Sequence, residues 1–268
     1  MTEPKNIDRS KGILPQKERG SLQPIIPQSI EEQRRLQLER LAAGFRLFAL
    51  YGFDEGLAGH ITLRDPEFSD HFWVNPLGMN FSQISVSDLL LVKEDGQIIQ
   101  GNRPINPAAF AIHSSIHKAR PDVNSAAHAH SVFGRTFSSL GKLLDPITQD
   151  AALFFQEQAI YDSYGGVAFD IEEGLAIAEA LGEKRTAILQ NHGLLTTGTS
   201  VDIAIWLFIA MDKCCQSQLL ADSAGSPIII SDEIALQAKA QAGTDMILWA
   251  SFQPLYDLIY AMESNFLK

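Results

Sequence analysis

An α/β fold, built on a mixed sheet with helices on both faces, is predicted by three features of this chain. Short apolar or alternating runs bounded by turn residues recur among longer runs of helical period. The 268 residues suit one large α/β domain, and no linker-like stretch divides them. Hydrophobic residues make up 46% and charged residues 20%, the balance of a chain that buries a core rather than staying disordered.

The elements follow in order. Residues 1–28 carry four prolines and no apolar segment, and read as a flexible arm that is neither signal peptide nor anchor. The domain then occupies 29–268. Ser29, followed by Glu31, Glu32 and the spaced Leu38, Leu41, Phe45 and Phe48, predicts a capped amphipathic helix ending at Gly52. Strands are expected at His60–Arg64, Phe72–Asn75, Leu89–Lys93 and Ile98–Gln100. A helix from Pro107 to Arg120 stops at Pro121, and the strand Val123–His128 follows. A helical turn at Val132–Leu140, an irregular aromatic-rich stretch at Asp145–Gly166 and a helix at Ile171–Leu181, closed by Gly182, come next. The strand Thr186–Gln190, a short strand Leu194–Thr197 and a long helix Val201–Ala224 precede further helices and a loose tail.

Composition excludes some partners. Thirty-two acidic against 21 basic residues give a net charge of -11, which repels nucleic acid and anionic lipid. The apolar run Ile203–Met211 is well short of the ~20 residues a membrane-spanning helix needs, so no membrane association and a cytoplasmic location are expected. Adjacent Cys214 and Cys215 cannot form an ordinary structural disulfide with each other and read as buried thiols.

The chemistry concentrates in histidines. His128 and His130, in Ser-Ala-Ala-His-Ala-His-Ser, and His192, in Ile-Leu-Gln-Asn-His-Gly-Leu-Leu, each follow an apolar strand. Three imidazoles from two strand ends suit one divalent metal ion. Of the others, His113 and His117 are four apart on one helix. His113 is expected beneath the site, supporting a ligand, His117 exposed on its helix, and His71 at the surface.

The run from His113 to His130, with Gln190-Asn-His-Gly-Leu-Leu195, Gly59-His-Ile-Thr-Leu-Arg64 and Asn75-Pro-Leu-Gly78, resembles the class II aldolase and adducin N-terminal domain family over most of the chain. The resemblance implies a three-layer α/β/α sandwich with a mixed central β-sheet. It also implies a divalent metal, usually Zn2+, on His128, His130 and His192, and lyase chemistry through an enediolate. Tetramers with sites at subunit interfaces are common in the family.

Two departures matter. The aldolases place a catalytic glutamate four residues before His113, where this chain has Ala109, and no acidic residue lies between Asp95 and Asp122. General acid/base work, worth ~10²- to 10⁴-fold in rate, has to come from elsewhere. Hydroxyl donors of the family's phosphate pocket are also replaced, with His60, Asn75, Leu77, Pro107 and Ala108 at those places. Gly59, Asn75 and Gly78 remain candidates for binding substrate, Gly59 and Gly78 through backbone amides. A small non-phosphorylated hydroxy- or oxo-acid fits better than a sugar phosphate, with Phe110, Phe154, Phe155 and Tyr161 as aromatic neighbours or as core.

Candidate proton carriers are Asp150 and Glu157, near where related epimerases place an aspartate acting across a subunit interface, and His60. Each also reads as an ordinary residue: a solvated loop carboxylate, or a hydrogen-bonded structural histidine. The expected activity is a metal-dependent aldolase- or decarboxylase-type lyase. Two alternatives stand beside it. One is an Fe2+-dependent oxygenase acting on an aromatic acid; the other is a non-catalytic, adducin-like interaction module.

Overall fold

The computed structural model describes residues 24–166 and 170–268, so most of the expected N-terminal arm, residues 1–23, lies outside the described residues. Helix α1 (Ile30–Leu50) begins as its sequence requires: the Ser29 hydroxyl accepts from the backbone N–H of Glu32, and two glutamates occupy the first turn. The helices that follow are α2 (Pro107–Ala119), α3 (Val132–Ser138), α4 (Ile171–Leu181), α5 (Val201–Ala224), α6 (Asp232–Ala242) and α7 (Asp245–Met262). The strands are β1 (His60–Arg64), β2 (His71–Val74), β3 (Leu90–Lys93), β4 (Ile98–Gln100), β5 (Ser125–Ala129), β6 (Gln158–Tyr161), β7 (Thr186–Leu189) and β8 (Gly193–Gly198).

All eight strands join one sheet in the order β4-β3-β2-β1-β5-β8-β7-β6. Only β6 and β7 pair in parallel; the other neighbours are antiparallel. The sheet is therefore mixed, as expected, and β5 lies near its middle. Every residue of β5 is buried, and its alanines let helices approach both faces closely.

One face carries the larger core, where Phe45 and Phe48 of α1, Phe208 of α5 and Phe252 of α7 pack together. The other face is covered by α2 and α4, whose Ile112, Ile116, Ile177 and Leu181 meet Leu189 of β7 and Leu195 of β8. Gly174 of α4 lies so near α2 that a Cβ there would run into the Ala111 carbonyl. These are the three layers of an α/β/α sandwich. Helix α5 is long and apolar enough to cross a membrane, but 67% of its apolar window is buried inside the protein. Its composition is that of a helix packed on several sides.

The structure departs from the sequence reading in two stretches. The segment 145–166 is not wholly irregular: it holds a 3₁₀ turn at Ala151–Phe154 and the edge strand β6. Gln158 disguises that strand, because its side chain is buried and bonds both the N–H and the C=O of Leu144. The C-terminal tail is not loose. Phe266 is fully buried, the Lys268 carbonyl accepts from Ser87 N–H at 2.8 Å, and Glu263 pairs with Arg46. Cys214 and Cys215 are buried free thiols, and burial pushes the Cys214 thiol up to about 12.

Candidate metal centre

Sheet register builds the site. In the antiparallel pairing of β1, β5 and β8, His128 stands opposite His60 on one side and Leu195 on the other. His130 is two residues beyond His128, so an extended chain points both rings to the same face. His192 arrives from the tight connection between β7 and β8. There Asn191 adopts the left-handed conformation at φ 58, which asparagine tolerates better than most residues. The next residue must be small: a Cβ on Gly193 would lie 3.0 Å from the Ala129 carbonyl and 3.6 Å from His128 Cε1.

These constraints bring His128, His130 and His192 together, with one ligand atom from each lying within 4.8 Å of the others. The ring centroids are 4.7–5.2 Å apart and each pair is close to perpendicular. His128 Nδ1 donates to the Leu194 carbonyl at 2.7 Å, which fixes its tautomer and leaves Nε2 as a lone pair facing the other rings. Burial holds the His128 imidazole well below its ordinary range and pushes His192 down to about 4. His130 is also lowered, by burial and by nearby Arg135. All three are therefore neutral near pH 7, the form that binds metal. Three neutral imidazoles whose ligand atoms converge at this spacing are a donor set that fits Zn2+ or Fe2+.

The triad closes one end of a pocket of about 340 Å³. Its remaining wall is mostly apolar, with Leu57, Leu77, Pro107, Ala108 and Ile112 facing His60 and the three candidate ligands. Among the described residues, no lysine, arginine, aspartate or glutamate lines it. Gly59 also contributes to the wall, at φ +90, where a Cβ would press within 3.1 Å of the Phe81 ring. At the rim, Arg135 pairs with Glu55, and both charges act on His130.

Other residues singled out from the sequence fall in different places. Asn75 directly follows β2, buried, with its Oδ1 unpartnered, and Gly78 forms a turn at φ +78; neither lines the pocket. Asp150 is exposed at the start of the 3₁₀ turn, and Glu157 pairs with Lys239 at 3.2 Å. Within one chain, neither carboxylate reaches the histidines. The aromatics do not line the pocket either: Phe154 is in the main core, and Phe110 and Tyr161 flank smaller clusters. His71 is half-buried and pairs with Asp70.

His113 lies beneath the site as expected, but it is hydrogen-bonded to His60 at 2.8 Å and to Thr62 rather than supporting one of the three candidate ligands. His117, expected on an exposed face, is instead 2% exposed. Positions four apart share one helix face, so the turn that buries His113 against β1 buries His117 too. Thr62, absent from the sequence reading, joins the two through its hydroxyl. The alternation of β1 carried that signal, since Thr62 is two residues from His60 and faces the same helix.

Comparison with known proteins agrees with this architecture. The profile of the class II aldolase and adducin N-terminal domain matches residues 39–219. A Streptomyces niveus protein named decarboxylase NovR is 42% identical over 91% of this chain and 91% of its own length. A Streptomyces roseochromogenus protein named 4-hydroxy-3-prenylphenylpyruvate oxygenase/4-hydroxy-3-prenylbenzoate synthase is 42% identical over 90% of this chain and 88% of its own. The solved structure of an L-fuculose 1-phosphate aldolase from Glaciozyma antarctica superposes with a TM-score of 0.85 at 42% identity, covering 91% of this chain and 96% of that one. The chain belongs to the class II aldolase and adducin N-terminal domain family.

Proposed function

We propose that this family member is a metal-dependent lyase of the decarboxylase type, cleaving a carbon–carbon bond in a small, non-phosphorylated hydroxy- or oxo-acid with an apolar or aromatic side chain. The observation that carries the reading is the pocket itself, with three neutral imidazoles at one end and an otherwise mostly apolar wall without a cationic side chain. A dianionic phosphate would find no lysine or arginine in the described wall, and nearby Arg135 is already paired with Glu55, whereas an aryl group would be well accommodated. Two similar proteins whose names refer to decarboxylation or to a phenylpyruvate support the same substrate class.

Zn2+ is the ion proposed for His128, His130 and His192, where it would supply Lewis acidity to the oxygens of a bound acid. The protein's own contribution is orientation. The Leu194 carbonyl sets the His128 ring, the β7–β8 connection sets His192, and Leu57, Leu77 and Pro107 place an apolar lining beside the reacting end. Position 109, where the aldolases have their glutamate, is a fully buried alanine. Among the described residues, His60 is the one titratable side chain in the wall besides the triad. Asp150 and Glu157 belong to this proposal only as residues a neighbouring subunit brings in, within a cytoplasmic homo-oligomer such as a tetramer. Light scattering of the purified protein tests that assembly.

A second reading follows from the missing carboxylate and from the oxygenase name of one relative: Fe2+ on the same triad, with dioxygen as co-substrate and oxidative loss of CO2. Both readings are tested by incubating the protein with phenylpyruvate and 4-hydroxyphenylpyruvate under air and under nitrogen, with Zn2+ or Fe2+. CO2 release independent of oxygen supports the lyase. Release only with Fe2+ and matched oxygen uptake supports the second reading. Efficient cleavage of L-fuculose 1-phosphate, with neither aryl acid turned over, overturns both.

A further inference from the structure

A line of buried polar side chains runs away from the pocket. His60 Nδ1 lies 2.8 Å from His113 Nε2, His113 Nδ1 2.6 Å from Thr62 Oγ1, and Thr62 Oγ1 2.9 Å from His117 Nε2. At the far end, His117 Nδ1 lies 3.3 Å from the Val123 carbonyl. None of the four residues is more than 3% exposed. Among the described residues no carboxylate bonds any of the three rings, and their burial disfavours a charged imidazole.

Neutral rings carry one N–H each and the threonine one O–H, so every bond in the line has a single donor and the buried Thr62 O–H finds an acceptor within it only if all point the same way. Two arrangements satisfy that rule. In the first, His117 Nδ1 donates to Val123, Thr62 to His117, His113 to Thr62 and His60 to His113, leaving His60 Nε2 bare. In the second, every donor is reversed and His60 Nε2 carries a proton.

Both ends favour the first arrangement. The Val123 carbonyl can only accept, so a bare His117 Nδ1 would set lone pair against lone pair. The other group near that nitrogen, Arg64 Nη2, is 3.4 Å away and makes its short bond, 2.6 Å, to the His117 carbonyl. Its positive charge also discourages protonation of His117. At the pocket end, His60 faces His128 in the register and lines the same cavity as the triad, where a lone pair suits a cation better than an N–H does.

We infer that the buried line anchored on Val123 holds His60 with its unprotonated Nε2 toward the pocket, making it a hydrogen-bond acceptor that selects acids bearing a hydroxyl over the same acids without one. The ligand half of this inference rests on the proposed function, as does the pocket-end argument for the ring polarity; the argument from the Val123 end does not. A 2-hydroxy acid, or a 2-oxo acid in its enol form, supplies the required donor.

The ring polarity is read by long-range ¹H–¹⁵N correlation spectra of the full chain, labelled with ¹⁵N-histidine, without metal and with Zn2+. His60, His113 and His117 are each expected as the Nδ1–H tautomer; Nε2–H signals for the three would overturn the inference whatever the activity. The selection is read by calorimetric titration of the Zn2+-loaded protein with 3-phenyllactate and 3-phenylpropionate, which differ by one hydroxyl. Phenyllactate is expected to bind about tenfold tighter or more. In Thr62→Val the line is cut, so the preference is expected to fall severalfold at unchanged Zn2+ content, and Thr62→Ser is expected to restore it. A preference undiminished in Thr62→Val means that the hydroxyl is read elsewhere and overturns the selection. Equal affinities in the unaltered protein do the same. Binding of neither acid overturns the selection together with the proposed function, while the spectra judge the ring polarity separately.

Discussion

Six of the seven histidines form two clusters that touch at the His60–His128 pair, and the clusters obey opposite rules. In the line His60–His113–Thr62–His117 nearly every ring nitrogen has a partner within the protein. In the triad, only His128 Nδ1 has one, and the remaining ring nitrogens of His128, His130 and His192 make no hydrogen bond among the described residues. Burial neutralises both groups. The difference teaches that a buried histidine is not by itself a ligand: one cluster closes on itself and contributes to the fold, whereas the other presents ring nitrogens spaced to fit a divalent ion.

Variants can break this contrast, and the largest effect is expected in the triad. His192→Ala should weaken Zn2+ binding more than about a hundredfold, measured by competition with a chelator. The thermal stability of the metal-free protein should change little, because His192 is only partly buried. His113→Leu should do the reverse. It leaves His60 Nδ1 without a partner in a dry interior and the Thr62 hydroxyl with His117 alone, a loss of about 1–3 kcal/mol in urea unfolding, with Zn2+ still bound. If both variants affected metal and stability alike, the separation into two clusters would be wrong.

A smaller, graded effect should come from pH. The folded His117 imidazole is held down to about 3 by burial and by Arg64, against an ordinary value of about 6.5. Between those values the unfolded chain binds the proton that the folded chain refuses, so stability rises with pH and is lost as pH falls below about 6.5. The limiting slope is about 1.4 kcal/mol per pH unit for each such ring. His117→Gln should be less stable overall, with a shallower dependence in this range, as followed by urea unfolding at several pH values. The smallest effect is expected at the rim. Glu55→Gln removes an exposed ion pair with Arg135, and should change stability by less than about 1 kcal/mol and Zn2+ affinity by less than about threefold.

Much of this was legible in the sequence, for physical reasons that can be named. The His-x-His spacing on an apolar strand puts two rings on one face by the period of an extended chain, and Asn-His-Gly marks a turn whose glycine is required by close approach to Ala129. The Ser29 cap and the helix breaker Pro121 marked helix ends for similar local reasons. What stayed hidden depends on tertiary contacts. Strand β6 was obscured because Gln158 is buried through bonds to Leu144, a partner 14 residues away. His117 looked like a surface residue because its partner Thr62 is on another element. The apolar replacements at Leu77, Pro107 and Ala108 did end in the pocket wall, whereas the aromatics at 110, 154 and 161 went to the cores.

The account stands or falls on whether the triad holds an ion. The direct measurement is the metal content of the full chain, purified without added metal or a histidine tag and analysed by elemental mass spectrometry beside His128→Ala. About one Zn2+ or Fe2+ per chain, lost in the variant, is the predicted result. A wild-type protein that takes up no divalent ion even when dialysed against both would contradict the metal centre and leave the chain as a binding module.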